Sequence, residues 1–100
     1  MELYRHGDIL VARVEEVPEG ARRLHHLVLA EGELTGHSHR IAERGQATLY
    51  ESQRTMFVSV TADYATLVHQ EHGPIRLRTG TYRVWRQREY APGAIRNVQD

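Results

Sequence analysis

Two histidines separated by one residue, His37 and His39, follow a glycine and are the strongest chemical signal in this sequence. Side chains at positions i and i+2 of an extended strand point to the same face, so both imidazoles can approach one ion. Neutral imidazole is the commonest metal ligand in proteins. The pair therefore predicts part of a metal site.

A second histidine pair, His69 and His72, lies later in the chain around Glu71. In a straight strand His69 and Glu71 share one face and His72 points to the other, so both histidines reach one ion only if the chain bends before Gly73. Without that bend, His69 is the better ligand. Glu71 is the candidate general base or a further ligand, and the alternative is a solvated carboxylate beside a turn.

Any metal must be held by nitrogen and oxygen, because the chain contains no cysteine. The predicted ligands of one divalent transition-metal ion are His37, His39, His69, His72 and Glu43. Such donors suit Zn, Fe, Ni, Mn or Cu, and the sequence does not choose among them. The alternative is that these histidines lie in polar loops and bind backbone or water. His25 and His26 are left out, since neighbours on a strand diverge.

Length and composition bound the class of protein. One hundred residues at 40% hydrophobic content fit a single domain, residues 1–100. Thirteen basic and thirteen acidic residues cancel, which argues against a general polyanion binder. The N-terminus lacks an apolar signal segment, and no apolar run approaches the length that spans a membrane. We therefore expect a cytoplasmic protein without membrane contact.

Short alternating apolar segments between turn residues predict the fold. The predicted strands cover residues 8–14, 24–30, 46–50, 56–60, 64–68, 75–78, 81–89 and 95–98, and polar turns or connections are predicted at 40–45, 61–63, 79–80 and 92–93. No segment sustains a period of 3.6 residues. The pattern is typical of a small all-β barrel or two-sheet sandwich of about seven or eight short strands.

Three kinds of function are open to such a chain. No phosphate-binding glycine loop, serine nucleophile elbow or zinc-protease helix motif occurs, so the first is a metal-dependent enzyme or a binder of a small-molecule ligand. The second is a structural role, in which the histidines or the metal stabilise a homo-oligomer, most simply a dimer, that covers the edges left by many short strands. The third is binding of single-stranded nucleic acid by alternating basic and aromatic residues. Those residues are Arg76, Arg78, Arg83, Arg86 and Arg88 with Tyr82, Trp85 and Tyr90. Exposed strand arginines more often form a solvated face, so nucleic acid is not the expected partner.

The segment from Gly32 through His37-Ser38-His39 to Glu43 resembles the first metal motif of the cupins, small β-barrels in which three histidines and one glutamate bind a metal. The resemblance implies that His37, His39 and Glu43 are ligands, with His69 or His72 as the third histidine. The second cupin motif, with proline and glycine before its histidine, has no counterpart here.

Over most of its length the chain also resembles a group of small uncharacterised bacterial and phage-borne proteins. The matching segments are Gly7-Asp8, Ala30-Glu31-Gly32-Glu33, residues 35–40, residues 69–75 and residues 80–90. This resemblance implies a family but no activity.

Overall fold

Every regular element in the described part of this computed structural model is a β-strand, which confirms the predicted all-β class. The structure describes residues 2–31, 36–86, 88–91 and 94–97. The strands are β1 (Leu3–His6), β2 (Ile9–Val14), β3 (Arg22–Arg23), β4 (Val28–Glu31), β5 (Ser38–Ile41), β6 (Ala47–Ser52), β7 (Thr55–Val68), β8 (Ile75–Arg86), β9 (Arg88–Ala91) and β10 (Ala94–Asn97). Gly32 of the cupin-like segment, the turn predicted at Pro92-Gly93, and Val98 lie outside the described residues. Nothing in the described ranges is a helix long and apolar enough to cross a bilayer.

Eight strands form one sheet in the order β1-β2-β8-β7-β5-β4, and the sheet is curled into a half-barrel. Strands β3 and β6 lie off this path, because β6 pairs with both β3 and β7. Strands β9 and β10 pair separately. One edge of β7 is thus shared, with β6 along residues 55–60 and β5 along residues 67–68. The sheet therefore branches at β7, into a β5–β4 branch and a β6–β3 branch.

The two central strands are longer than predicted. β7 has 14 residues and β8 has 12, where the sequence predicts two shorter strands for each. The turn predicted at 61–63 is wrong, because β7 continues through it with a shift in register against β8 between Val60 and Tyr64. Such a bulge absorbs small polar residues while both strands stay paired. The break predicted at Gly80 is also wrong, since Gly80 stays within β8 with φ 149°.

Three short strands were not expected either. β3 lies at Arg22–Arg23, before the strand predicted at 24–30, and only residues 28–30 of that prediction are in a strand, β4. β1 was not predicted, and β5 covers Ser38–Ile41 where a polar connection was predicted from residue 40 onwards. Both are only four residues long, too short for an alternating pattern to stand out from the flanking polar residues.

The inward face of the sheet is apolar in the middle and polar at one end. Its buried apolar side chains include Ile9, Val11, Ile41, Leu49, Val58, Leu67, Leu77 and Tyr82. Because side chains alternate along a strand, the residue two before Ile41 and the residue two after Leu67 lie on this same face. Those residues are His39 and His69, so the two central histidines continue the core.

Candidate metal centre

The β1–β2 hairpin contributes two polar side chains to this end of the core. His6 pairs with Ile9, which leaves a two-residue loop, and its first residue, Gly7, has a φ of 63°. Glycine reaches this conformation without steric cost, which is why it starts such hairpin loops. Both His6 and Asp8 are buried in the folded chain.

Two further segments bring the predicted histidines together. His39 on β5 is completely buried, whereas the side chain of His37, directly before the strand, is 29% exposed. β7 ends at Val68, and the chain bends directly after it. The rings of His69 and His72 consequently lie 4.6 Å apart, centroid to centroid. The bend that both histidines require is thus present at the end of the strand.

Four imidazole rings form one compact group, which we call the histidine cluster: His6, His39, His69 and His72. Their six centroid separations all fall between 4.4 and 6.1 Å. His37 lies beside the cluster, with its ring centroid 5.5 Å from that of His69. The structure therefore brings together all four histidines predicted as ligands, and adds His6.

The hydrogen bonds inside the cluster fix where protons lie. His6 Nε2 is 2.9 Å from the carbonyl oxygen of Gly73, which can only accept, so His6 carries its proton on Nε2. Burial lowers the pKa of His6 to about 4, so the ring is neutral near pH 7. His6 Nδ1 must then accept from His39 Nδ1, 2.9 Å away.

The other nitrogen of His39 faces a carboxylate. His39 Nε2 lies 3.3 Å from Asp8 Oδ1, and both groups are fully buried. With Nδ1 already a donor, this contact is a hydrogen bond only if a further proton lies on His39 or on Asp8. Arg86 donates to the second oxygen of Asp8 and, at 2.8 Å, to the carbonyl of Glu31. A continuous polar chain thus runs from Gly73 through the two rings to Arg86.

Among the described residues no three His, Asp or Glu side chains are placed to hold a metal ion as they stand, and hydrogen bonds already engage several of the ring nitrogens. His6 and His39 share a hydrogen bond, and His69 Nδ1 accepts the backbone N–H of Glu71 at 2.9 Å. An accepting Nδ1 places the proton of a neutral ring on Nε2. His69 therefore has to release the Glu71 amide before it can bind a metal.

Glu71, the predicted base, lies at the exposed mouth of the cluster. Its carboxylate contacts His37 Nδ1 at 3.1 Å, and its side chain is 54% exposed. Gln70 accepts the backbone N–H of Ser38 at 3.0 Å, which joins the segment after β7 to β5. A small polar ligand approaching the cluster would therefore meet His37 and Glu71.

Glu43 is not brought to the rings. Its two carboxylate oxygens accept hydrogen bonds from the backbone nitrogen and hydroxyl of Thr66, at 2.7 and 2.6 Å. Burial raises the pKa of Glu43, but the bonds from Thr66 outweigh this effect and leave the pKa below its usual value. Thr66 alternates with Leu67 along β7, so Glu43 lies on the face of the sheet opposite His69.

Sequence reasoning missed His6, Asp8 and Arg86. The segment His6-Gly7-Asp8 has the same one-residue spacing as His37-Ser38-His39, and a glycine accompanies both, which is a signal that could have been used. Arg86 carries no such signal, because its contact with Asp8 spans 78 residues of sequence.

The arginines considered for nucleic-acid binding have partners within the chain. The guanidinium carbon of Arg76 lies 4.3 Å from the Tyr64 ring centroid, and that of Arg83 lies 4.8 Å from that of Trp85. Arg78 is bonded to Glu2, as Arg86 is to Asp8. The side chains of Arg88 and Tyr90 lie outside the described residues.

Comparison with known proteins gives one match. A family model described as a domain of unknown function (DUF8820) matches residues 5–87. No curated protein and no solved structure matches the chain. The matched region contains the histidine cluster, Asp8 and Arg86, and it ends before β9.

Proposed function

Since the chain belongs to the DUF8820 family of domains of unknown function, we propose from its own residues that it binds one divalent transition-metal ion. The observation that supports this most is the convergence of three imidazoles, those of His39, His69 and His72, beside the buried carboxylate of Asp8. Three nitrogen donors and one oxygen donor suit Zn, Fe, Ni, Mn or Cu.

The distances are compatible with such an ion. Donor atoms about 2.0–2.1 Å from a tetrahedral ion lie roughly 3.3 Å from each other, and the centroids of two ligand rings lie roughly 5 Å apart. His39 Nε2 and Asp8 Oδ1 are 3.3 Å apart. The three rings have centroid separations of 4.4, 4.6 and 6.1 Å. Binding would require His69 to release the Glu71 amide, and the rings of His69 and His72 to turn their donor nitrogens towards the edge formed by His39 and Asp8.

His6 has a supporting role in this proposal. A metal-binding histidine commonly donates its second ring N–H to a neighbouring acceptor, which fixes the tautomer and the ring orientation. His6 Nδ1 is that acceptor for His39, and Gly73 in turn holds His6. The donor types match those of the cupin-like motif, with Asp8 in the place expected for Glu43.

We infer that the ion serves catalysis or the binding of a small ligand rather than the fold alone. Structural ions have closed coordination shells, whereas catalytic ions keep a position open to solvent or substrate. His37 and Glu71 lie at the mouth of the cluster and are partly exposed, so they can orient a polar ligand there. Glu71 is the proposed general base.

Elemental analysis of protein purified without a histidine tag tests the proposal and identifies the ion. We expect one ion per chain, and a melting temperature that rises when the apo-protein receives the right metal. Asp8→Asn and His39→Ala should abolish the rise, while His26→Ala, at an exposed histidine on another surface, should keep it. No bound metal, together with no rise from Zn, Fe, Ni, Mn or Cu, would leave the cluster as a structural hydrogen-bonded network.

A further inference from the structure

A groove of about 700 Å³ lies where the sheet branches, away from the histidine cluster. One wall is the β4–β5 branch and the other is the β3–β6 branch. A backbone hydrogen bond from Leu24 to Leu49, at 2.8 Å, extends the pairing within the β3–β6 wall, and one from Ile41 to Leu27, at 2.9 Å, extends it within the β4–β5 wall. The volume is in the range of small-molecule sites, roughly 300–1,000 Å³.

The floor and the rim of this groove differ in chemistry. The floor is aliphatic: Leu24, Leu27 and Val28 are half-buried and present apolar surface, and the core residues Ile41 and Leu49 lie beneath them. The rim carries three exposed arginines, Arg23, Arg40 and Arg44. None of the fourteen described residues that line the groove is acidic. A chain with no net charge therefore concentrates positive charge at one apolar groove.

The rim arginines are available to a ligand. Among described residues, none of these three forms an ion pair, whereas the neighbouring Arg22 bonds Glu51 at 2.6 Å. The acid closest in sequence to the rim, Glu43, turns away and is held by Thr66. The positive charge at the rim is thus not neutralised by the part of the chain that the structure describes.

We propose that this groove binds an organic anion, with its apolar body on the aliphatic floor and its acid group against the rim arginines. Guanidinium groups bind carboxylate and phosphate oxygens through paired, charge-assisted hydrogen bonds. Burial of the apolar body adds affinity that a bare inorganic anion lacks. The described lining residues include no Phe, Tyr or Trp, and their only aromatic rings are those of His25 and His26, so the aliphatic floor favours an apolar body over a series of stacked bases.

The test is an NMR titration of the isotope-labelled full chain with decanoate, which has a carboxylate and an aliphatic body. Decyltrimethylammonium is the control of opposite charge, and a twelve-residue oligothymidylate is the polyanion control. We expect decanoate to shift the amides of Leu24, Leu27 and Ile41, and to bind at least about tenfold more tightly than the cation.

Substitution of the rim arginines distinguishes recognition of the ligand's acid group from non-specific hydrophobic binding. Arg23→Gln, Arg40→Gln and Arg44→Gln should each weaken decanoate binding about fivefold, and Arg22→Gln, the matched control on the same strand, should not. Equal binding of the cation, equal loss in Arg22→Gln, or no binding of decanoate would overturn the proposal. If oligothymidylate binds more tightly at the same amides, the groove is a nucleic-acid site rather than an organic-anion site. If light scattering shows a dimer whose interface covers these amides, the groove binds a second copy of the chain.

Discussion

Two histidine–carboxylate pairs lie at the start of β5, one through His39 within the strand and one through His37 directly before it, and they differ mainly in burial. His37 and Glu71 are 3.1 Å apart with side chains 29% and 54% exposed, and His39 and Asp8 are 3.3 Å apart with neither exposed. Exposed pairs contribute little because water replaces either partner, whereas removing one member of a buried pair leaves the other desolvated. Burial, rather than distance, decides what each pair does for the molecule.

The largest expected effect is that of removing the buried carboxylate. Asp8→Ala leaves Arg86 without its carboxylate partner and the buried His39 Nε2 without the polar group it faces, so we expect a loss of about 3–5 kcal/mol in the free energy of unfolding. Urea denaturation measures it. Glu71→Ala is the matched control at the exposed pair. An equal loss of stability in the two variants would show that burial does not set the contribution of each pair.

The second effect is a dependence of stability on pH. His6 has a pKa of about 4 in the fold and about 6.5 when unfolded, so the unfolded chain binds more protons between these values. The contribution of neutral His6 to the free energy of unfolding is present above pH 6.5 and is lost as pH falls towards 4. In the metal-free protein this contribution is up to about 3 kcal/mol. His6→Gln should flatten this part of a stability–pH curve. A stability–pH curve of the parent chain that is flat from pH 6.5 to 4 would refute the lowered pKa of His6.

The third effect concerns the metal and compares His39 on β5 with His37, directly before that strand. His39→Ala removes a proposed ligand and should lower metal affinity by roughly a hundredfold or more, whereas His37→Ala should change it only a few-fold. Competition with a chromophoric chelator measures both variants. If His37→Ala loses the ion as well, the site is centred nearer the surface, as the cupin-like pattern implies.

The smallest effect is expected for Glu71→Gln. The amide keeps the size of the side chain and can still contact His37, so stability should change by less than about 1 kcal/mol and metal content should be unchanged. Once a substrate is known, activity should fall while metal stays bound. A loss of metal in this variant would make Glu71 a ligand rather than a base.

The sequence predicts the fold class better than the strand boundaries. Within the site, it predicts the histidine pair His37 and His39 but not the contact of Asp8 with Arg86. Alternation of apolar residues is a local property, so it identifies most strands, but it cannot show that β7 continues past Asp63 through a bulge. The spacing of His37 and His39 is local too. The contact of Asp8 with Arg86 depends on how β2 and β8 align, which no short segment contains.

Glu43 shows the reverse error. Its spacing after His39 resembles a metal motif, yet the chain turns it to the other face of the sheet, where Thr66 supplies two donors. A hydrogen-bonding partner on a neighbouring strand decides the direction of this side chain. Resemblance over a short segment carries no information about that partner.

The tight turn at Gly7 also bears on the order in which the molecule folds. It places His6 and Asp8 close together as soon as one local hairpin forms, but their partners are His39, 33 and 31 residues away, and Arg86, 78 residues from Asp8. Closing such long loops is slow relative to hairpin formation. We expect the buried pair to form after the folding transition state, so that Asp8→Ala accelerates unfolding far more than it slows refolding in stopped-flow measurements. Half of the centre would then be assembled early and stay incomplete until the last strands dock.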